Sequence, residues 1–175
     1  MRKGDWIQTY TGKRFYPLDP RVEDVCLSDI AHALSLTCRY NGHCRTFYGV
    51  AEHSVRMSVA DLPGDAKWRL LHDAAEAYVS DVPRPVKPML AEYRVIENGV
   101  MAVIAEKYKL PECDQELIKM ADMVMLATEK RDIISADPPW GLPLPSPLPE
   151  IIRPLSPEVA EGWFLRVAFR LGIYD

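Results

Sequence analysis

Apolar residues recur every three or four positions along most of the chain, which is the spacing of one buried face of an α-helix. The segments that show this spacing are 28–40, 50–62, 65–78, 90–104, 111–128 and 156–171. Turn signals such as Asn41-Gly42 and Pro63-Gly64 separate them. The pattern predicts an all-α protein built as a helical bundle.

The N-terminal segment follows a different pattern. Trp6–Tyr10 and Arg14–Leu18 are short strand-like runs on either side of the turn signal Thr11-Gly12, which is typical of a small β-hairpin. Near the other end, eight of the 15 prolines lie between Pro138 and Pro157. Because proline fixes φ and lacks an amide donor, we expect an irregular loop there, of a length that often forms a lid or a cover.

Composition and charge limit the classes of function. The 175 residues are 48% hydrophobic and carry a net charge of −4, which fits one domain spanning residues 1–175. The acidic balance argues against a nucleic-acid partner, because such binding needs a basic surface. We find no apolar run of ~20 residues for a membrane span and no signal-peptide pattern at the start. We therefore expect a cytoplasmic protein without a membrane partner, whose four cysteines form no disulfide framework.

Polar residues with acid–base and metal-binding chemistry interrupt the apolar helix predicted over 65–78. His72 and Glu76 are four positions apart, so both lie on one helix face, and Asp73 follows His72 directly. A buried ionised aspartate is costly unless it is paired or bound to a metal. One interpretation is an ion-paired core in which His72 meets Glu76 and Asp73 lies at the rim.

Two other residues pose the same problem of burial. His53 lies on the preceding predicted helix, and Asp122 lies on a nearly all-apolar helical segment. An antiparallel helical hairpin would bring His53 close to His72. Imidazole nitrogens and carboxylate oxygens are ligands of divalent transition metals, so a metal ion bound by His53, His72, Asp73 and Asp122 is the second interpretation of these residues.

The order and spacing of these residues resemble the HD-domain metal-dependent phosphohydrolases, in particular bacterial 5′-deoxynucleotidases and short phage and prophage deoxynucleotide hydrolases. The resemblance covers nearly the full chain. The motifs that carry it are VAEHS at 50–54, HDAAE at 72–76, SDVPRPVK at 80–87 and KMAD at 119–122. It implies the HD-domain helical bundle, with His53, His72, Asp73 and Asp122 as the metal ligands.

The resemblance also implies roles for other residues. Glu76 is the expected general acid or base, and Asp81 is expected to assist catalysis or hold the sugar. Arg39 and Tyr40 occupy the place where the family usually has Arg-Trp. Arg39 is therefore expected to bind a substrate phosphate and Tyr40 to stack on the base or sugar, with Lys87 adding positive charge.

The function that these observations predict is the removal of the 5′-phosphate from deoxynucleoside monophosphates by metal-activated water. The alternatives are a triphosphohydrolase that releases triphosphate from dNTPs, and a non-catalytic nucleotide-binding module. For the triphosphate alternative, extra cations would be needed, and the candidates are Lys87, Arg84, Arg45 and Lys119. The donor atoms suit Mn, Co, Fe, Ni, Zn or Mg without selecting one, and the family implies a homo-oligomer, a dimer or larger.

Overall fold

A small hairpin precedes a set of packed helices in the computed structural model, which describes residues 2–135 and 137–175. Ile7–Gln8 (β1) pairs antiparallel with Arg14–Phe15 (β2). The helices are Leu27–Leu36 (α1), Val50–Val59 (α2), Ala66–Leu71 (α3), Glu76–Val79 (α4), Ala91–Lys107 (α5), Gln115–Asp132 (α6) and Pro157–Arg170 (α7). The prediction of a mostly helical protein with an N-terminal hairpin is confirmed.

Helix α2 occupies the centre of the structure, where it packs against α1, α3, α6 and α7. Every residue from Val50 to Ser58 except Arg56 is buried. Val55 belongs to a core shared with α1, α5 and α7, whereas Met57 belongs to a second core shared with α6. Polar side chains on α2 are therefore removed from water and need partners inside the protein.

Arg69 joins the end of α2 to α3. Its buried guanidinium donates to the carbonyl oxygens of Ser58, at 3.2 Å, and of Leu62. Burial lowers the pKa of Arg69, and these carbonyl oxygens compensate part of the cost of burying its charge. The contact fixes the two helices that lead to His53 and His72.

The helix predicted over 65–78 is not continuous, which corrects one expectation. Between α3 and α4 the amides of Ala74 and Glu76 bond to carbonyl oxygens three residues back, at 2.9 and 3.0 Å. The imidazole of His72 donates from Nδ1 to the Arg69 carbonyl oxygen at 3.0 Å. That oxygen is the acceptor that the amide of the residue after His72 would use in an α-helix, so the side chain competes with the regular pattern.

Helix α1 also ends earlier than the predicted limit near Tyr40. The Thr37 amide and hydroxyl both bond to the Ala33 carbonyl oxygen, at 3.0 and 2.8 Å, and close the last turn. The next residues, Arg39–Gly42, form a separate 3₁₀ turn in which Tyr40 has a φ of 57°. The chain therefore turns sharply where it carries Arg39 and Tyr40.

The proline-rich segment 137–156 contains no helix or strand, as predicted. Two of its backbone amides donate hydrogen bonds to side chains on the helices. Leu148 donates to Thr128 Oγ1 at 2.9 Å and Leu155 donates to Glu52 Oε2 at 2.8 Å. Ile152 packs into the core between α2 and α6. These contacts indicate an ordered cover over that core.

Within the two described ranges, no helix is long and apolar enough to cross a membrane.

Asp65 caps the helix that leads to His72, and its carboxylate accepts hydrogen bonds from the amides of Lys67 and Trp68 at 2.9 and 3.1 Å. Replacing Asp65 by alanine is expected to lower the free energy of unfolding by about 1 kcal/mol, because two amides of the first turn lose their acceptor. Urea denaturation of both proteins measures the difference. Asp61→Ala in the preceding loop is the control, and an equal loss in that variant would contradict the capping role.

Candidate metal centre

Helices α2 and α6 and the residue directly after α3 bring two histidines and an aspartate together. His53 Nε2 lies 3.3 Å from His72 Nε2 and 3.3 Å from Asp122 Oδ1. The ligating atoms of these three residues all lie within 4.8 Å of one another, so the group can hold a metal ion. His53 is fully buried and the Asp122 side chain is 38% exposed, which leaves the centre open on the side of α6.

The other ring nitrogen of each histidine is fixed by an acceptor. His53 Nδ1 lies 2.5 Å from Glu129 Oε1, and His72 Nδ1 lies 3.0 Å from the Arg69 carbonyl oxygen. A carbonyl or carboxylate oxygen accepts only, so Nδ1 carries the proton in both rings and neutral imidazole leaves Nε2 as a lone pair. Two such lone pairs facing each other at 3.3 Å need a cation or a proton between them, and the donor set therefore fits a divalent metal.

Asp73 lies beside the same two nitrogens. Its Oδ2 is 3.1 Å from His72 Nε2 and 3.9 Å from His53 Nε2. Burial raises the pKa of Asp73. The charges of His72, His53 and Arg39 outweigh this effect and hold the pKa below its usual range. The side chain is thus an ionised oxygen donor at the edge of the centre, and its role as a fourth ligand stays a prediction.

Glu76 and Asp81 supply carboxyl groups near the centre. Glu76 is almost fully buried, and its Oε2 has no hydrogen-bond partner. Burial, together with the charges of Asp73 and Asp81, raises the pKa of Glu76 to about 10. Burial also raises the pKa of Asp81, against the lowering effect of Arg39. A protonated Glu76 with a free oxygen is suited to donating a proton.

Arg39 lies against the carboxylates of the centre. Its side chain is 11% exposed and contacts Asp73 Oδ2 at 3.5 Å and Glu129 Oε2 at 3.2 Å. Its Nε is buried without a hydrogen-bond partner. Arg39 thus balances negative charge around the cluster, and the expectation that it binds a substrate phosphate stays a prediction.

Glu129 is the residue that the sequence analysis missed. In the run of charged residues 129–132, Glu129 is fully buried and the Asp132 side chain is 4% exposed. Burial raises the pKa of Glu129. The charges of Arg39 and His53 outweigh this effect and hold the pKa below its usual value. Its position in the sequence could have revealed it, because Glu129 lies two turns after Asp122 on α6 and so shares the same helix face.

Tyr40 and Lys87 lie on different sides of the centre. The Tyr40 hydroxyl donates to Glu129, and its ring centroid is 6.3 Å from that of Trp140. Lys87 Nζ lies 2.6 Å from Glu97 Oε1, at a cleft of about 310 Å³ that His72 and Asp73 also line. The structure therefore places Lys87 at a cavity and Tyr40 in a buried network, and their substrate contacts stay predictions.

Metal affinity is expected to increase with pH. Burial and the charge of Arg39 lower the pKa of His53. The carboxylates of Glu129 and Asp122 outweigh them and raise this pKa to about 9. A metal binds only the neutral ring, so below pH 9 binding displaces a proton and the affinity falls by about tenfold per pH unit. Co²⁺ titrations between pH 6.5 and 9 measure this slope. An affinity that does not change over that range would contradict a role for His53 as a ligand.

Comparison with known proteins identifies relatives over almost the whole chain. The chain is 40% identical over 163 residues to YfdR, an uncharacterized protein of Escherichia coli (strain K12), and the match covers 91% of this chain and 92% of YfdR. It is also 31% identical over 186 residues to the uncharacterized protein RCAP_rcc00048 of Rhodobacter capsulatus. That match covers 95% of this chain and 93% of the relative. No family model matches the sequence. From these identities and this coverage, the chain belongs to the protein family that includes YfdR.

Proposed function

We propose that this chain is a metal-dependent phosphohydrolase of the HD-domain type, which removes the 5′-phosphate from deoxynucleoside monophosphates. One observation carries the proposal. Two imidazole Nε2 atoms and the Asp122 carboxylate lie within 4.8 Å of one another. The carboxyl group of Glu76 interacts electrostatically with Asp73, and its buried Oε2 has no hydrogen-bond partner. A purely structural ion-pair core would be expected to pair both oxygens of Glu76, because an unsatisfied buried polar atom lowers stability.

His53, His72 and Asp122, with Asp73 as the proposed fourth ligand, would hold the metal. When bound, the metal supplies Lewis-acid polarisation of the phosphoryl oxygen and lowers the pKa of coordinated water. Arg39 limits the net negative charge of the cluster through its contacts with Asp73 and Glu129. Less negative charge around the centre favours the approach of an anionic phosphate.

The cleft beside His72 and Asp73 is the proposed nucleotide site. Its volume of about 310 Å³ is at the lower end of the range for small-molecule pockets. Trp68 and Met101 supply apolar surface, and Lys87 supplies a cation. Lys87 now pairs with Glu97 at 2.6 Å, so a substrate phosphate would compete with that carboxylate for the ammonium group.

The proposed reaction is attack of a water oxygen on phosphorus, in line with the bond to the departing 5′-oxygen. That phosphorus–oxygen bond breaks, and the departing oxygen takes a proton from Glu76, whose raised pKa keeps it protonated at neutral pH. One proton of the attacking water passes to the Glu76 carboxylate and restores it, and the other hydrogen stays on the orthophosphate. The products are a deoxynucleoside and orthophosphate. Asp81, whose pKa is also raised by burial, is the proposed partner of the sugar hydroxyl.

A product assay tests this proposal. Purified protein with Mn²⁺ or Co²⁺ is offered each dNMP and each dNTP, and the products are separated by ion-exchange chromatography. Deoxynucleoside and orthophosphate from dNMPs are the expected result. Deoxynucleoside and triphosphate from dNTPs would replace the proposal by the triphosphohydrolase alternative. Protein that binds nucleotides but releases no product would favour the non-catalytic module.

Two further parts of the proposal are a cytoplasmic location, expected from the sequence, and a homo-oligomer of two or more chains, implied by the family resemblance. Size-exclusion chromatography with light scattering measures the second. A mass near the 19.9 kDa of one chain would contradict the oligomer.

A further inference from the structure

We infer that Glu129 is a positioning residue that holds the metal ligand His53 and ties it to the turn carrying Arg39 and Tyr40. This inference rests on the metal centre of the proposed function. It adds a residue outside the four motifs that carry the family resemblance.

The contacts of Glu129 join three separate parts of the chain. Its Oε1 accepts from His53 Nδ1 at 2.5 Å, on α2. Its Oε2 accepts from the Tyr40 hydroxyl and lies 3.2 Å from the Arg39 guanidinium. The side chain is fully buried. Since every one of these partners donates, the carboxylate acts only as an acceptor, and its burial is compensated by three donors.

The contact with His53 sets how that ring can bind a metal. A carboxylate on Nδ1–H fixes the tautomer, orients the ring and makes Nε2 a stronger donor. The Arg69 carbonyl oxygen performs the first two tasks for His72, but an uncharged carbonyl raises basicity less than a carboxylate does. His53 is therefore expected to depend on Glu129 for its strength as a ligand.

The contact with Arg39 protects a second ligand candidate. Arg39 lies between two carboxylates, 3.2 Å from Glu129 and 3.5 Å from Asp73. Removing the charge of Glu129 would leave Asp73 as the main counter-ion of a buried guanidinium. Asp73 would then pair with Arg39 at the expense of the metal. Both effects weaken the binding of a metal to the neutral His53 ring.

The test compares two isosteric substitutions of buried carboxylates. Glu129→Gln removes the charge that contacts His53. Glu52→Gln removes an equally buried charge that contacts Arg56 at 2.7 Å and the Leu155 amide at 2.8 Å. We expect Glu129→Gln to weaken Co²⁺ binding by about 10- to 100-fold and Glu52→Gln to leave it within about twofold of the original protein. Calorimetric titration of chelator-treated protein measures both.

A spectroscopic signature separates positioning from general destabilisation. In metal-free protein labelled with ¹⁵N-histidine, at a pH where the His53 ring is neutral, His53 is expected to show protonated Nδ1. In Glu129→Gln that signal is expected to shift towards a mixture of tautomers, while the signal of His72 stays in place. The spectrum of Glu52→Gln is expected to match that of the original protein.

Two outcomes would overturn the inference. Equal Co²⁺ affinity in Glu129→Gln and the original protein would show that Glu129 does not position the ligand, although the proposed hydrolase could still stand. Absence of Co²⁺ binding by the original protein would remove both the inference and the proposed function. Normal metal binding without phosphate release would leave the inference intact and contradict only the hydrolase.

Discussion

Replacing Asp122 by alanine is expected to abolish tight metal binding and turnover while the protein stays folded. Asp122 supplies a carboxylate oxygen 3.3 Å from His53 Nε2. Because its side chain is 38% exposed, its loss leaves no large internal cavity. Loss of a ligand should weaken metal affinity by more than about 100-fold, since even an outer-shell change costs 10- to 100-fold. Several kcal/mol of lost Lewis-acid stabilisation correspond to a turnover at least about 10³-fold lower.

Metal content after dialysis, circular dichroism and phosphate release measure these three effects. Glu116→Ala is the matched control, because it removes the same charge from an exposed position on the same helix. A purely structural ion pair would give a different result. Asp122→Ala would then lower the melting temperature, and metal content and turnover would stay at the level of Glu116→Ala.

Glu76→Gln is expected to lower turnover by about 10²- to 10⁴-fold, the usual contribution of a general acid or base, while metal binding persists. Glutamine keeps the size of the side chain and removes the proton that Glu76 would give to the departing oxygen. Parallel measurements of phosphate release and of Co²⁺ affinity separate the two effects. Glu106→Gln, at an exposed position on α5, is the control for the same substitution away from the metal centre.

Retention of more than about a tenth of the original turnover in Glu76→Gln would contradict the proton-transfer role. A parallel loss of metal would instead make Glu76 a ligand.

Hydrophobic periodicity was sufficient to predict most of the fold. The helices around His53 and Asp122 follow from apolar residues at helical spacing, and the hairpin follows from short strand-like runs around Thr11-Gly12. The break between α3 and α4 could not be predicted this way. Ala74 and Ala75 favour a helix, and what interrupts it is a side-chain hydrogen bond from His72 to the Arg69 carbonyl oxygen.

The candidate metal centre was partly predictable for a related reason. His53 and Asp122 stand out because they are polar residues in apolar helical segments, where burial requires a partner. Glu129 does not stand out, because three charged residues follow it in the sequence. Its burial depends on Arg39 and Tyr40, which approach it from a distant turn, and the sequence alone does not reveal that approach.

Binding of a metal ion by His53, His72 and Asp122 can be measured in a single titration. Chelator-treated protein is titrated with Co²⁺ at pH 8 in a calorimeter, with Asp122→Ala in parallel. We predict saturable binding by the original protein that the variant loses. Absence of saturable binding by the original protein, or equal binding by the variant, would contradict the metal centre on which the proposed function depends.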